Sequence, residues 1–484
     1  AHHPSVRAAG RTCLCTLRLD GWSNARAGNA IRGQPRLAGV VRIRPDEVHS
    51  SLSRNILADG FKLVVDLDRS HGCRIHDSRR DREILDMFSC FATMPIGWNH
   101  PELVAQEARL GRTAVNNITN SDLYSVEMAE AIETIGRLAK PDHLPHMFFI
   151  AGGALGVENC LKAAMDWKQQ DRTRKGMPGD DDHPQVSIAH LEEAFHGRSG
   201  YTLSLTNTDP IKTDRFVKFD WPRITNPTIH FPIDETESAR LDEVEAQSLE
   251  QLRQAAEADP DSIAGVIVEP IQGEGGDNHF RDSYLQDLQR TTHDIGALFI
   301  VDEVQTGMGL TGKMWSHEHM GLEPDLLAFG KKMQICGMMG GPRLDENTDN
   351  VFTSSSRINS TWGGNLIDMV RGAICLEVIQ EENLVDNAGR MGEEMLAGLG
   401  ELAGRHEMIS NVRGRGLFVA FTLPSRQLRD TFHANALEAG LLTLKSGPES
   451  IRLRPSLNIS ADEVAEALEI FEQTAKALEA DQVA

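Results

Sequence analysis

The feature that most constrains the fold is a series of short, mostly apolar segments in the middle of the chain. Each is long enough for a core strand and too short for a buried helix: residues 147–150, 186–190, 263–268 and 297–301. A strand that is apolar at nearly every position is covered on both faces, as in a parallel sheet between helices. Helical stretches at residues 153–167 and 281–294 alternate with these segments. We therefore predict an α/β fold with a mainly parallel sheet.

The two ends of the sequence predict a smaller α/β domain. Residues 62–68 and 84–88 are typical of short strands, and residues 101–139 have apolar side chains at helical spacing. From Asn365 onward the pattern is mostly helical, with a break at residues 412–416 and a strand-like segment at residues 451–454. In addition, the Asp-, Gly- and Pro-rich residues 170–184 are expected to form an exposed loop.

The charge and hydropathy of the chain exclude two classes of protein. Lys and Arg number 49 against 71 Asp and Glu, which gives a net charge of -22 at pH 7. Phosphate contacts need clustered basic residues, so a broad nucleic-acid-binding face is not expected. No apolar run approaches the roughly 18–20 residues that a membrane helix needs. A membrane protein is therefore excluded as well.

The first 44 residues differ from the rest in composition. They contain eight arginines, no lysine and one acidic residue, Asp20. This superficially resembles an organelle transit peptide, but the chain opens on Ala-His-His without Met. We expect residues 1–44 to be an atypical leader that is disordered or not native. The 7 scattered cysteines predict neither a disulfide framework nor a metal site, and they favour a reducing cytoplasm.

Glycines follow the first core strand at the point where a helix begins. The sequence there is Ala151-Gly-Gly-Ala-Leu-Gly-Val-Glu-Asn159. Small residues let backbone N–H groups approach an anion at a helix N-terminus, where the helix dipole favours a phosphate. The spacing does not match the dinucleotide fingerprint. A tight strand-to-helix turn with no ligand is the alternative interpretation.

Two charged residues follow later strands of the predicted sheet. Asp302 ends an apolar strand, where a carboxylate is able to hold a metal or a protonated ring nitrogen, or only to cap a turn. Lys331 follows the apolar segment Leu326–Gly330, where desolvation lowers the pKa of an amine and makes it nucleophilic. Lys332 is adjacent, so a pair of surface lysines is the alternative interpretation.

The order of the motifs along the chain resembles the class III aminotransferases, which are pyridoxal-phosphate enzymes of fold type I. The matching motifs are Gly153-Ala154, Phe195-His-Gly-Arg198, Glu269-Pro-Ile-Gln-Gly-Glu274-Gly-Gly, Asp302-Glu-Val-Gln305-Thr-Gly and Lys331. The resemblance runs from about Arg44 to the C-terminus. Residues 194–208 and 359–365 look like the versions found in the lysine 6-aminotransferase branch of the family.

The resemblance implies a fold and its domain limits. Fold type I has a large domain, with a mainly parallel sheet between helices, and a smaller α/β domain formed by the N- and C-terminal segments. Residues 111–362 would form the large domain that binds pyridoxal 5'-phosphate. Residues 45–110 and 363–484 would form the small domain, outside which the leader lies.

The resemblance also assigns the residues that would bind the cofactor. Lys331 would attach to the cofactor aldehyde, and is preferred over Lys332 because the family's lysine falls six residues after an Asp that corresponds to Asp325. Asp302 would keep the ring nitrogen protonated, so that the ring acts as an electron sink. Gly153 and Ala154 would hold the phosphate, and Phe195 would stack on the ring. Gln305 would form a hydrogen bond near the 3-hydroxyl. Thr361 would reach the phosphate of the neighbouring subunit. The last of these roles implies a homodimer.

Substrate recognition is likewise carried over from the family. Glu274 would pair with Arg452 while L-lysine reacts, and would move away so that Arg452 binds the α-carboxylate of 2-oxoglutarate. Arg198, helped by Asn359, would hold the distant carboxylate of either substrate. From the residues alone Arg452 also fits a strand-edge surface charge, and Arg454 is a second candidate.

These assignments predict a homodimeric, cytoplasmic enzyme with two half-reactions. It would transfer the terminal amino group of L-lysine to 2-oxoglutarate and form L-2-aminoadipate 6-semialdehyde and L-glutamate. Another ω-aminotransferase, acting on 4-aminobutyrate or ornithine, is the nearer alternative. A non-catalytic homologue used for binding or assembly is the more distant one, and the presence of Lys331, Asp302 and Arg452 argues against it.

Overall fold

The computed structural model describes residues 41–177 and 185–483. They belong to two compact units, which divide after Gly60. The described part of the first unit has a 3-10 turn at Pro45–Glu47 and the helix α1 (Val48–Leu52). Of the predicted leader, residues 1–40 lie outside the described residues.

The second unit contains the remaining helices and strands of the described residues. In chain order its described strands are β1 (Arg74–Asp77), β2 (Arg82–Asp86), β3 (His146–Ile150), β4 (Ser187–Leu191), β5 (Arg223–Ile224), β6 (Ile263–Val268), β7 (Leu298–Asp302), β8 (Leu326–Phe329), β9 (Cys336–Gly340), β10 (Ser410–Arg415), β11 (Phe418–Thr422), β12 (Leu441–Leu442), β13 (Leu444–Ser446) and β14 (Ser450–Leu453). Its helices are α2 (Ser89–Ala92), α3 (Pro101–Ala105), α4 (Glu107–Val115), α5 (Val126–Leu138), α6 (Gly153–Arg174), α7 (Gly200–Leu205), α8 (Glu235–Ala258), α9 (Asp282–Asp294), α10 (Leu366–Glu381), α11 (Leu384–Arg405), α12 (Arg426–Glu438) and α13 (Ala461–Val483).

A seven-stranded sheet forms the centre of this unit. Its strand order is β3-β9-β8-β7-β6-β4-β5. The pairs from β8 to β5 are parallel, while β9 runs antiparallel to both of its neighbours. Every residue of β6, β7 and β8 is buried. The predicted mainly parallel sheet is therefore confirmed.

Helices cover both faces of this sheet because successive side chains of a strand point in opposite directions. On one face Leu298 and Ile300 of β7 pack in a cluster with Leu161 and Trp167 of α6. On the other face Phe299 and Val301 belong to the larger core, together with Leu288 of α9. A strand buried on both sides needs apolar residues throughout, which is the pattern in the sequence.

Two smaller sheets lie outside the central one, and one of them joins N-terminal and C-terminal strands. One has the order β1-β2-β12, in which the C-terminal strand β12 pairs in parallel with β2. The other has the order β10-β11-β14-β13 and carries Arg452 opposite Ala420 and Leu444. This agrees with a smaller α/β region formed by both ends of the chain. The predicted limits, residues 45–110, 111–362 and 363–484, stay a prediction.

The structure differs from the local predictions in three places. Residues 62–68 were predicted to form a strand but form none. Val65 makes only an isolated bridge with Asp77. The N–H of Val64 donates to the Asp77 side chain and not to a neighbouring strand. The helix predicted over residues 101–139 is divided into α3, α4 and α5. Asn and Ser residues in the interruption, at 116–125, favour local bonds to the backbone, and Ser125 caps α5 by accepting from the Met128 N–H. Residues 170–174 belong to α6 rather than to a loop, and residues 178–184 lie outside the described residues.

None of the helices within residues 41–177 and 185–483 combines the length and the apolar character required to cross a bilayer.

Candidate active site

A cavity of about 570 Å³ opens where the parallel strands end. Ligands collect at the carboxyl ends of strands in such sheets. Residues that follow β3, β4, β6, β7 and β8 line it, and seven positions predicted from the sequence are among them: Gly153, Ala154, Phe195, Arg198, Asp302, Gln305 and Lys331. The sheet topology thus brings these seven residues together, although 178 positions of the chain separate Gly153 from Lys331.

Lys331 begins the 3-10 turn that follows β8 and presents its amine to the cavity. Its φ is 49°, in the left-handed region, so the backbone turns sharply at this residue. Burial, and then the charge of Arg452, lower the pKa of Lys331 to about 8. About one tenth of this amine is therefore neutral, and nucleophilic, at pH 7, a far larger share than for a lysine with the ordinary pKa.

The neighbouring lysine has a different environment. Lys332 is only 1% exposed and does not line the cavity. Its Nζ has no hydrogen-bond partner among the described residues, and burial lowers its pKa well below the usual value. The geometry favours Lys331 as the reactive amine, because that side chain faces the cavity and Lys332 faces the protein interior.

The carboxylate of Asp302 is oriented by two donors. His196 Nδ1 donates to Asp302 Oδ2 at 2.8 Å, and the backbone N–H of Val304 donates to Oδ1 at 3.0 Å. The second ring nitrogen of His196 is buried without a partner in the described ranges. His196 belongs to the Phe195–Arg198 motif but has no role predicted from the sequence. Its contact with Asp302 joins residues 106 positions apart, which no local sequence feature indicates.

Glu269 is a second residue without a predicted role. Its carboxylate accepts from the backbone N–H of Phe195 at 2.9 Å and from that of Gly273 at 3.1 Å. Burial raises the pKa of Glu269 to about 7. This side chain ties the segment of Phe195 to the segment that leads to Glu274.

The N-terminus of α6 forms one wall of the cavity. Gly152, with φ of 109°, precedes the helix. A Cβ on Gly153 would lie 2.8 Å from Val304 Cγ1, and one on Gly197 would lie 2.5 Å from the Ala154 Cβ. The backbone is thus closely packed against the loops after β4 and β7. The first N–H groups of a helix have no intrahelical partner, so this wall suits an anionic group.

Glu274 and Arg452 form an ion pair next to the cavity. Arg452 Nη2 donates to Glu274 Oε2 at 2.5 Å, and Lys212 Nζ donates to Glu274 Oε1 at 2.6 Å. Burial alone would raise the pKa of Glu274, but the charge of Arg452 and the bond from Lys212 lower it to about 2. Lys212 was not predicted from the sequence, since it lies 62 residues before Glu274.

Gln305 connects this ion pair to the cavity lining. Its Oε1 accepts from Arg452 Nη1 at 3.4 Å and from Arg454 Nε at 3.2 Å. Arg454 is otherwise occupied, since its Nη2 donates to both oxygens of Asp277 at 2.9 and 2.8 Å. Arg454, the second candidate from the sequence, is therefore engaged by Asp277, whereas Arg452 bonds to Glu274 and to Gln305, which lines the cavity. Neither arginine itself lines the cavity.

Of three further predicted residues, one lines the cavity and two lie elsewhere on the surface. Arg198 lines the cavity, is exposed, and has its Cζ 5.9 Å from the centroid of the Phe195 ring. Asn359 and Thr361 do not line this cavity. They are exposed, and the Thr361 carbonyl accepts from Ser121 Oγ at 3.4 Å.

The residues that line the cavity fit a phosphorylated pyridine aldehyde. A lysine amine with a lowered pKa suits the aldehyde, an oriented carboxylate suits a protonated ring nitrogen, and a helix N-terminus suits the phosphate. The half-buried ring of Phe195 supplies an aromatic wall. The fold and this set of groups together define a pyridoxal-phosphate enzyme of fold type I.

Comparison with known proteins agrees with this class. Residues 57–475 match the model of the family aminotransferase class-III. The chain belongs to this family, whose members are transaminases that use pyridoxal 5'-phosphate.

The chain is similar to proteins described as L-lysine-epsilon aminotransferases. It is 45% identical to the one from Streptomyces clavuligerus over 444 residues, which are 91% of this chain and 96% of that protein. It is 46% identical to the one from Mycobacterium tuberculosis (strain ATCC 25618 / H37Rv) over 428 residues, 88% of this chain and 94% of the relative. A solved structure of lysine aminotransferase from M. tuberculosis has a TM-score of 0.87 and 44% identity, and covers 90% of this chain and 100% of its own.

Proposed function

We propose that the protein is an L-lysine 6-aminotransferase. It transfers the terminal amino group of L-lysine to 2-oxoglutarate and forms L-2-aminoadipate 6-semialdehyde and L-glutamate. The observation that carries this proposal is the contact between Glu274 and Arg452 beside a cavity that contains Lys331. The similarity to proteins described as L-lysine-epsilon aminotransferases supports the same substrate.

The ion pair provides a way to accept two substrates of different charge. L-lysine reacts at a carbon that bears no carboxylate, so Arg452 needs to be neutralised during that half-reaction. Glu274 does this in the observed pair. 2-Oxoglutarate has a carboxylate next to the reacting carbon, and Arg452 binds it once Glu274 moves away. The planar guanidinium matches a carboxylate through two parallel hydrogen bonds.

Arg198 is the second carboxylate site of the proposal. It lines the cavity and is exposed to solvent, so a substrate reaches it without desolvating a buried charge. In the first half-reaction it binds the α-carboxylate of lysine, and in the second the distal carboxylate of 2-oxoglutarate. Asn359 assists Arg198 in this proposal.

The remaining residues of the cavity act on the cofactor and on a proton. When bound, pyridoxal 5'-phosphate supplies an electron sink. Gly153 and Ala154 hold its phosphate through backbone N–H groups, Phe195 packs on its ring and Asp302 holds a proton at its ring nitrogen. Gln305 donates near its 3-hydroxyl. Lys331, once free, moves a proton at the terminal carbon of lysine, which is worth roughly 10² to 10⁴ in rate.

The active enzyme is a homodimer in this proposal, with Thr361 reaching the phosphate site of the neighbouring subunit. Asn359 belongs to the same exposed segment and reaches the same site. The surface beside Thr361 supports an interface, since Trp362 and Tyr124 are exposed there. We also propose a cytoplasmic location, because Cys73, Cys160 and Cys375 are buried as free thiols.

The test follows the absorption of the bound cofactor while single amino donors are added without an oxo acid. We expect L-lysine to convert the absorption rapidly, and L-ornithine and 4-aminobutyrate to leave it nearly unchanged. Lys331→Ala is the control, which should bind the cofactor and lose the rapid change. Conversion by ornithine or 4-aminobutyrate instead of lysine would contradict the proposed amino donor, but it would still agree with aminotransferase chemistry.

A further inference from the structure

The Glu274 carboxylate is held by two cations rather than one. Lys212 bonds to Oε1 and Arg452 to Oε2, at 2.6 and 2.5 Å. The side chains of Lys212, Glu274 and Arg452 are 15%, 27% and 2% exposed. Because each cation uses a different oxygen, either bond can break while the other is kept.

Lys212 is fixed in place by its own segment. It ends the 3-10 turn Pro210–Lys212, which Asp209 caps by accepting from the Ile211 N–H at 3.0 Å. Its Nζ also donates to Thr208 Oγ1 at 3.2 Å and lies 5.4 Å from the centroid of the Phe195 ring. These contacts hold the amine beside Glu274 and the Phe195 ring, and they distinguish it from a freely moving surface lysine.

We propose that Lys212 is a positioning residue that keeps Glu274 paired when Arg452 is occupied by the carboxylate of the oxo acid. The inference rests on the proposed function, since it requires a dicarboxylate as the second substrate. In the first half-reaction Glu274 bridges both cations. In the second, the Arg452–Glu274 bond breaks and the Lys212–Glu274 bond remains.

The charges of the cluster support this role. Lys212, Glu274 and Arg452 together carry one excess positive charge, and an incoming carboxylate brings their sum to zero. Without Lys212 the same event would leave one excess negative charge in a mostly buried place, and Glu274 would lose its last partner. An unpaired buried charge is costly, so Lys212 lowers the free energy of the exchange at Arg452. Arg454 does not alter this balance, because Asp277 neutralises it.

Lys212→Met and Lys212→Arg in the holoenzyme test this role. The probe for binding is glutarate, which has both carboxylates of 2-oxoglutarate but no oxo group and does not react; calorimetry measures its affinity. We expect Lys212→Met to bind glutarate about tenfold more weakly and to raise the KM for 2-oxoglutarate by a similar factor, as expected for loss of one charge-assisted bond. Single turnover with L-lysine should change little, and Lys212→Arg should restore most of the affinity. Lys218→Met is the matched control, because Lys218 is an exposed lysine of the same segment.

The combination with Glu274→Gln decides whether Lys212 acts through Glu274. We expect Lys212→Met to have little further effect on glutarate binding in that background, and an undiminished effect would overturn the proposed role. Equal glutarate binding by the wild type and Lys212→Met would also overturn it, while leaving the proposed function intact. If the wild type itself does not bind glutarate, the assignment of a dicarboxylate as second substrate is wrong. The proposed function would then be wrong as well.

Discussion

At the scale of single residues, Lys331 and Lys332 make a testable contrast. The pKa of Lys331 is lowered to about 8, so its neutral fraction rises about tenfold per pH unit below that value and then levels off. We expect acetylation of Lys331 by acetic anhydride in the cofactor-free protein to increase up to about pH 8 and then to reach a plateau. Lys332 is buried, and should be modified slowly throughout.

Mass spectrometry of the digested protein measures this modification site by site. The exposed Lys218 in the same digest is the internal reference for the reagent. Lys332→Met should leave the Lys331 profile unchanged. A profile that still rises above pH 9, or one that disappears in Lys332→Met, would contradict the environment of Lys331 described above.

A physical difference separates the site residues that were predicted from the sequence from those that were not. The predicted residues have a position relative to the strands that a sequence pattern reveals. Lys331, Asp302 and Gly153 stand directly after predicted strands, and strand ends are where a parallel sheet places its ligands. Lys212 has no such position, since its contact with Glu274 depends on the path of a loop over 62 residues. The role of Glu269 depends on the two backbone N–H groups that donate to it. The sequence does not specify which backbone groups a side chain contacts.

At the scale of elements, α6 packs so closely on the central sheet that one helix position requires glycine. A Cβ on Gly156 would lie 2.7 Å from the backbone oxygen of Gly337 in β9. In an exposed helix Ala stabilises by about 1 kcal/mol relative to Gly. Here the overlap with a backbone atom outweighs that gain. We expect Gly156→Ala to lower the free energy of unfolding by about 1–3 kcal/mol in urea denaturation.

A second glycine serves as the control for this substitution. Gly136 of α5 has no atom within 4 Å of the position of an added Cβ. Gly136→Ala should therefore raise the free energy of unfolding by up to about 1 kcal/mol. Equal and positive effects of both substitutions would show that α6 does not contact β9 as closely as described.

The central strands were predictable because burial on both faces leaves apolar residues at every position. Strand β9 was not predicted, and its sequence, Cys336-Gly-Met-Met-Gly340, explains this. Glycine has a low preference for strands, yet a Cβ on Gly337 would lie 2.0 Å from the backbone oxygen of Phe148 in β3. The packing that requires glycine here also removes the pattern by which a strand is predicted.

At the scale of the whole molecule, one surface of the subunit is apolar next to Thr361. Trp362 is 46% exposed and Tyr124 81% exposed, and the Trp362 carbonyl accepts from the Asn120 N–H at 3.1 Å, which joins the two segments. Leu123 and Val126 are also exposed there. A group of exposed apolar side chains of this kind is typical of a subunit interface. Under the proposed homodimer, Thr361 would enter the neighbouring site from this surface.

Mixed dimers test whether Thr361 serves the neighbouring subunit. Lys331→Ala removes the amine of its own site, and Thr361→Glu brings a carboxylate towards the phosphate of whichever site it enters. Each variant alone should have very low activity. If Thr361 crosses the interface, a mixed dimer has one site with both native residues, and random reassociation of equal amounts should recover about one quarter of wild-type activity. If Thr361 serves its own subunit, no site in the mixed dimer is intact. Native mass spectrometry that detects mixed dimers without recovered activity would therefore contradict the shared active site.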